Sequence, residues 1–203
     1  LAAGCPIVVA PAMDAGMFEH PATQANLATL RERGLILVGP VEGRMASGLI
    51  GPGRMLEAEQ LLGHIRWILG RAGPLAGQKV VVTAGGTQEP LDPVRVLANR
   101  SSGKQGFALA QAAIDRGAEV ILIAGPTSLV TPIGAARVEV ETAAQMAAAV
   151  AEALPQAAVL LMAAAVADFR PTRAERNKIK RKAGVPQVSL EPTEDILASL
   201  GKN

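Results

Sequence analysis

Tyrosine is absent from the 203-residue chain, which has one tryptophan and three phenylalanines. A core so poor in rings must be packed by aliphatic side chains. Runs of Ala, Val, Ile, Leu and Gly suit helices laid against parallel strands. Cysteine is nearly absent as well. The single one, Cys5, excludes an internal disulfide, suits a reducing compartment and reads as a small buried filler. An excess of one charge is missing: 20 Lys and Arg against 18 Asp and Glu leave +2. That excludes a polybasic nucleic-acid binder. No apolar run reaches the roughly 18 residues of a membrane-spanning helix, and no secretory leader opens the chain. His20 precedes Pro21 as a candidate cap, and His64 reads as a surface residue. Neither has partners at ligand spacing, so no protein metal site is expected. The chain starts at Leu1, directly before a strand, and stops at "LASLGKN", so a piece of a longer polypeptide is expected.

Strands and helices alternate in the pattern. "PIVVAPAM" predicts a buried strand, and "HPATQANLATLRERG" a helix with Pro21 near its start and Gly34 as its stop. "LILVGP" predicts a second strand. The four glycines of "VEGRMASGLIGPGRM" predict a loop. "LEAEQLLGHIRWILG" places Leu61, Leu62, Ile65, Ile68 and Leu69 at helical spacing. "RAGPLAG" predicts a seam between domains. A second unit begins at "QKVVVTAGGT", a strand and a glycine turn, followed by the polar segment "QEPLDPVRVLANRSSG". A helix is predicted from Gly103 to Arg116, then strands at "AEVILIAGPT" and "VEVET", a helix at "AAQMAAAVAEALP" and a strand at "AAVLLMAAAVAD". After a basic segment, "PQVSLEPTEDILASLG" predicts a strand and a helix start. The order implies an α/β fold with a doubly wound parallel sheet, whose ligands bind beyond the C-terminal strand ends.

"NRSSGKQG" invites comparison with nucleotide loops. A P-loop requires G-x-x-x-x-G-K-[ST], but Gly103-Lys104 is followed by Gln105. The dinucleotide G-x-G-x-x-G is not matched by Gly85-Gly86-Thr87-Gln88. Serine is a good N-cap and helix N-termini attract anions. The local pattern alone leaves plain capping and an anion site equally open.

Five segments taken together carry more. "VTAGGTQEPLDPVR", "NRSSGKQG", "AAAVADFRP", "NKIKRK" and "PTEDIL" occur in the order found in the bifunctional phosphopantothenoylcysteine decarboxylase/phosphopantothenate–cysteine ligase family of coenzyme A biosynthesis. The chain resembles that family's ligase half from about Leu75 to its end. The earlier "PAMDAGMFEHPATQANLATLRERG" and "GRMASGLIGPGRMLEAE" resemble the last third of its flavin-dependent decarboxylase half. The resemblance implies two domains: residues 1–72, part of a flavodoxin-like decarboxylase domain, and residues 73–203, a Rossmann-like ligase domain lacking its C-terminal end.

It also implies a reaction. The carboxylate of 4′-phosphopantothenate attacks the α-phosphate of CTP with Mg²⁺ present, pyrophosphate leaves, and L-cysteine's amine captures the acyl-cytidylate. Such chemistry needs positioning and charge neutralisation. By the family match, Lys178 serves the first step and Asn99 holds the acyl-cytidylate for the second. An amide can donate and accept there without repelling a carboxylate. Met162, Ala163 and Ala164, with Thr193, Glu194, Asp195 and Ile196, match walls of the CTP pocket, and Asp168 matches a nucleotide-contacting acid. Gly85, Gly86, Asp92, Arg95, Ser101, Ser102 and Lys180 match the substrate side. Each has a plainer reading beside it. Seven basic residues and one acid lie between Arg170 and Lys182, and such runs are usually solvated faces. Asp168 could cap a loop, and Asp92 and Arg95 could be a turn residue and a surface cation.

Two positions depart from the decarboxylase pattern. Asp14 stands where the family has a substrate-binding asparagine, and Ser47 where it has a proton-donating cysteine. A serine hydroxyl is far less acidic than a thiol, whose reference pKa is about 8.5, so this chain alone is expected not to decarboxylate. FMN is expected only in an intact decarboxylase half. The resemblance also implies a homo-oligomer, with ligase dimers and decarboxylase trimers, in the cytoplasm, without nucleic-acid or membrane partners. The competing readings are a nucleotide-binding Rossmann domain without turnover and an NAD(P)-linked oxidoreductase. The latter lacks its glycine fingerprint here, and its Tyr-x-x-x-Lys base is impossible without tyrosine.

Overall fold

The computed structural model describes residues 3–180 and 186–201. Its contacts divide the chain into two compact units, Leu1–Leu69 and Gly70–Asn203. Arg181 and Lys182 of the basic run lie outside the described residues.

The first unit carries β1 (Val8–Val9), α1 (Ala15–Glu19), α2 (Pro21–Glu32), β2 (Ile36–Leu37), β3 (Val41–Arg44), β4 (Ile50–Arg54) and α3 (Ala58–Gly70). β1 and β2 form a two-residue parallel pair. Pro21 opens α2, and the His20 Nδ1 accepts from the Ala22 N–H at 3.2 Å, so His20 does cap. The glycine-rich stretch expected to be a loop is instead the antiparallel hairpin β3–β4. There the glycines admit close contact: a Cβ on Gly53 would stand 2.1 Å from the Met13 carbonyl oxygen, and the Met13 N–H donates to the Gly53 carbonyl at 2.9 Å. Ile68 of α3 is buried, but Leu62, Ile65 and Leu69 are exposed. Cys5, read as buried, is exposed. His64 is half-buried rather than a surface residue, edge-on to Trp67.

The second unit carries β5 (Lys79–Ala84), β6 (Gln88–Pro90), β7 (Val96–Ala98), α4 (Lys104–Ile114), β8 (Glu119–Ala124), β9 (Ala135–Glu139), α5 (Ala143–Ala153), β10 (Val159–Met162), β11 (Phe169–Pro171), β12 (Leu190–Pro192) and α6 (Ile196–Leu200). Its main sheet is parallel, in the order β10-β5-β8-β9. β5 is flanked on both sides, and so its run "KVVVTA" is apolar without alternation and almost wholly buried. Val81 and Ile123 pack with Met146 and Val150 of α5 and Ile196 of α6. The neighbouring β5 residue Ala84 meets α4, where a Cβ on Gly106 would come within 2.5 Å of the Ala84 Cβ. The helix can approach that closely only at glycine. Thr142 and Gln145 form a reciprocal capping box at the start of α5.

The segment 88–103, read as polar connection, contains the antiparallel pair β6–β7. A second antiparallel pair, β11–β12, joins Phe169–Pro171 to Leu190–Pro192. The serines of "NRSSG" do not cap α4. Its N-cap is Gly103 at φ +73°, while the Ser101 and Ser102 hydroxyls accept from the Gly103 and Lys104 N–H groups at 3.3 and 3.4 Å.

Candidate functional site

The strand order reverses beside β5: the chain moves from β5 to β8 and β9, then returns to β10 on the other side. Diverging connections leave a crevice at the C-terminal strand ends there. β10 stops at Met162, opposite Thr83, and the chain beyond is held by side chains. The Thr83 hydroxyl accepts from the Ala163 and Ala164 N–H groups at 3.1 and 3.2 Å. The Thr87 hydroxyl accepts from the Ala167 N–H at 2.9 Å. The Asn99 Nδ2 donates to the Val166 carbonyl at 3.1 Å. The Thr193 hydroxyl donates to the Ala167 carbonyl, and its N–H to the Asp168 carbonyl at 2.9 Å. Both Thr83 and Thr87 are fully buried, so removing either hydroxyl would strand peptide groups away from water.

The loop so held walls a cavity of about 370 Å³. Met162, Ala164, Asp168, Thr193, Glu194, Asp195 and Ile196, all expected around a nucleotide, line it together. Val166, Ala167 and Leu197, which the sequence reading missed, line it too. Ala163 and Lys178 are not in that lining. Asp168 is exposed at the mouth. The Asp195 carboxylate has local work, accepting from the Ala198 N–H at 3.0 Å to cap α6.

The substrate-side residues fall into two groups. Gly85, at φ +79°, turns the chain out of β5, and a Cβ on Gly86 would lie 3.0 Å from the Asn99 carbonyl oxygen. Ser101 and Ser102 belong to the same turn, where the Thr127 hydroxyl donates to the Ser102 carbonyl at 3.4 Å. Asp92 and Arg95 form the other group. The Asp92 side chain is wholly buried and its carboxylate is consumed within the protein. Oδ1 accepts from the Val94 and Arg95 N–H groups, each at 2.9 Å, and Oδ2 from the Arg95 guanidinium and the Ile179 N–H at 3.0 Å. The guanidinium beside it, then the Ile179 N–H, hold Asp92 well below the usual carboxylate range against the opposing effect of burial. Asp92, expected to meet substrate, is therefore a structural tie. Lys178 and Lys180 are exposed on either side of Ile179. Neither described cavity of this unit is lined by Asn99 or Lys178.

The first unit has its own cavity of about 360 Å³, lined by Asp14, Ser47, Arg44, Arg54 and the methionines Met13, Met45 and Met55. Asp14 is the N-cap of α1 but makes no capping bond. Its Oδ1 instead accepts from the Ser47 hydroxyl at 2.5 Å. Met55, read as packing, is half-exposed at this cavity. Among the described residues no group of three or more His, Cys, Asp or Glu could hold a metal ion.

Comparison with known proteins agrees with this division. Residues 75–203 match the family model "DNA/pantothenate metabolism flavoprotein C-terminal domain", and residues 1–69 match the model "Flavoprotein". The chain is 49% identical over 204 residues to the coenzyme A biosynthesis bifunctional protein CoaBC of Mycolicibacterium smegmatis, covering 98% of this chain and 49% of that protein. It is 42% identical over 205 residues to the protein of the same name from Bacillus subtilis, covering 100% and 50%. The chain thus spans about half the length of these curated relatives. In three dimensions it is similar to the crystal structure of the C-terminal domain of a CoaBC protein. The TM-score is 0.54 and the identity 42%, with 62% of this chain and 59% of that chain covered. By the match over residues 75–203 the chain belongs to the DNA/pantothenate metabolism flavoprotein family.

Proposed function

We propose that the second unit performs CTP-dependent ligation of 4′-phosphopantothenate to L-cysteine through an acyl-cytidylate. The observation that carries this reading is the loop 163–168, folded off the sheet at the reversal of strand order by Thr83, Thr87 and Asn99. The cavity beside it offers backbone groups and small side chains to a base, with Asp168 at its mouth to read the cytosine amine or the ribose. Asn99 commits one N–H to Val166, leaving its carbonyl and second N–H for an acyl-nucleotide. Lys178 supplies positive charge to the reacting phosphate and Lys180 to the remaining phosphates. Mg²⁺ would arrive with the triphosphate, since it binds mainly through phosphate oxygens and water. The resemblance to bifunctional relatives supports a cytoplasmic homo-oligomer. The exposed Val94, Val96 and Leu97 beside β6–β7, with Phe169 and Leu190 on β11–β12, are apolar surface suited to a dimer.

In the longer protein the first unit is read as part of the decarboxylase that converts the ligation product to 4′-phosphopantetheine. FMN, when bound there, would supply the electron sink. Arg44 and Arg54 have the charge to hold a phosphate, and the three methionines offer apolar surface to a ring. Asp14 and Ser47 bond to each other, a pair poorly suited to an anionic substrate or to fast proton delivery. Carbon dioxide release by this chain in a flavin-supplemented assay would overturn the reading that it does not decarboxylate.

The test of ligation is pyrophosphate release from CTP, 4′-phosphopantothenate and Mg²⁺. Lys178→Gln should abolish intermediate formation, and Asn99→Asp should impair its handling. Normal turnover in both variants would remove these assignments. A thermal shift with CTP exceeding those with ATP, GTP and NADP is expected for the nucleotide.

A further inference from the structure

We propose that Asp92 and Arg95 are positioning residues, a clamp that fixes the backbone at Ile179 and so the segment carrying Lys178 and Lys180. The role deepens the ligase reading and rests on it for the use made of Lys178. An aspartate that merely staples a turn needs one oxygen, and here Oδ1 suffices, accepting from Val94 and Arg95. The second oxygen is buried with the first and faces the Arg95 guanidinium and the Ile179 N–H, across 87 residues of sequence. The same guanidinium continues to the Ile179 carbonyl at 2.9 Å. Both polar backbone atoms of Ile179 are thus engaged by this one ion pair. A third bond, from the Glu175 N–H to the Leu91 carbonyl at 2.9 Å, ties the preceding residues to the same loop.

The chemistry of lysine gives such a clamp a purpose. An ammonium on a four-carbon stem is a mobile point charge. Its reach toward a phosphate depends on where its backbone is held. A buried carboxylate oxygen that takes two N–H donors from one guanidinium gives directional anchoring that a fully exposed pair would not. Arg95 is itself only half-exposed, at 43% of its side chain, and both partners lie on the short link between β6 and β7.

The experiment uses the 203-residue chain and the variants Asp92→Asn and Arg95→Gln. An asparagine amide at position 92 would turn donors toward the guanidinium and the Ile179 N–H. Limited trypsin digestion should then cut the Lys178–Ile179 bond about tenfold faster in each variant, because a locally opened segment is the cleaved species. Cleavage elsewhere in the second unit should stay at the wild-type rate. The rate of acyl-nucleotide formation should fall more than the KM for CTP rises. Unchanged cleavage at Lys178–Ile179 in a folded variant overturns the clamp, whatever happens to turnover. So does cleavage that rises equally at all sites, since that is global destabilisation. Faster local cleavage together with no pyrophosphate release from the wild-type chain keeps the clamp and sinks the ligase reading. Should Asp92→Asn fail to fold, Arg95→Gln carries the same test from the half-exposed partner.

Discussion

The two units start from similar text and end differently. "PIVVAPAM" and "QKVVVTAGGT" are both apolar runs ending in small residues. The first gives two paired residues, half-buried, with β2 as the sole described partner of β1. The second gives six paired residues between β8 and β10, with Val81, Val82 and Ala84 fully buried. Apolar character proposes a strand, but flanking strands on both sides decide how much of it becomes core. Helices show the same contrast. α5 buries Met146 and Val150 completely, whereas α3 leaves Leu62 and Leu69 more than half exposed.

The contrast can be broken by mutation. Met146→Ala should cost about 3 kcal/mol, the usual range for a large side chain lost from a close-packed core, read from chemical denaturation of the second unit. Leu27→Ala, at one of the few buried sites of the first unit, should leave that transition in place, and a loss of both together would refute the division. Next in size, Thr83→Val leaves the part-buried Ala163 and Ala164 N–H groups without their acceptor and should cost about 2 kcal/mol. It should also remove any stabilisation by CTP in a thermal melt. Retained stabilisation would show that the loop 163–168 is shaped without the hydroxyl.

Acidity gives a smaller effect confined to the second unit. Asp92 has a folded pKa below its unfolded value of about 3.9. Its ionised form is therefore favoured by folding. The stability it adds is present above about pH 4 and drains away as pH falls toward the lower, folded value. Asp92→Asn should flatten the acid limb of the stability profile in that window, and an unaltered limb would discount the buried ion pair. Smallest of all, Ile50→Ser on the first unit should change stability by less than about 0.5 kcal/mol, because Ile50 is 76% exposed. A larger loss would mean that this residue is covered in solution.

Much of the second unit was legible. β5, β8, α4 and α5 follow from apolar runs and periodicity, which depend on local sequence. The hairpin β3–β4 was not, because its four glycines read as loop, while Gly53 stands in close approach to the Met13 carbonyl. β6–β7 and β11–β12 were obscured by prolines and charges, which edge pairs tolerate. Of the site, Met162, Ala164, Asp168 and residues 193–196 of the lining come from family resemblance, since small residues carry no chemical signal of their own. Thr83 and Thr87 went unmarked, although a threonine inside the aliphatic run "VVVTA" was a visible interruption. For Asp92 the sequence offers both a turn residue and a substrate-side acid: an Asp-Pro turn shows its near oxygen and hides the far one, whose partner lies at Ile179.

The threonine hydroxyls have a consequence for how this domain can be re-engineered. Loop 163–168 has its conformation written into residues roughly eighty positions upstream, not into its own alanines. A chimera that borrows the loop from a relative but keeps a host lacking both hydroxyls inherits the letters without the shape. The two segments form one transplantable module, and grafting must move them together.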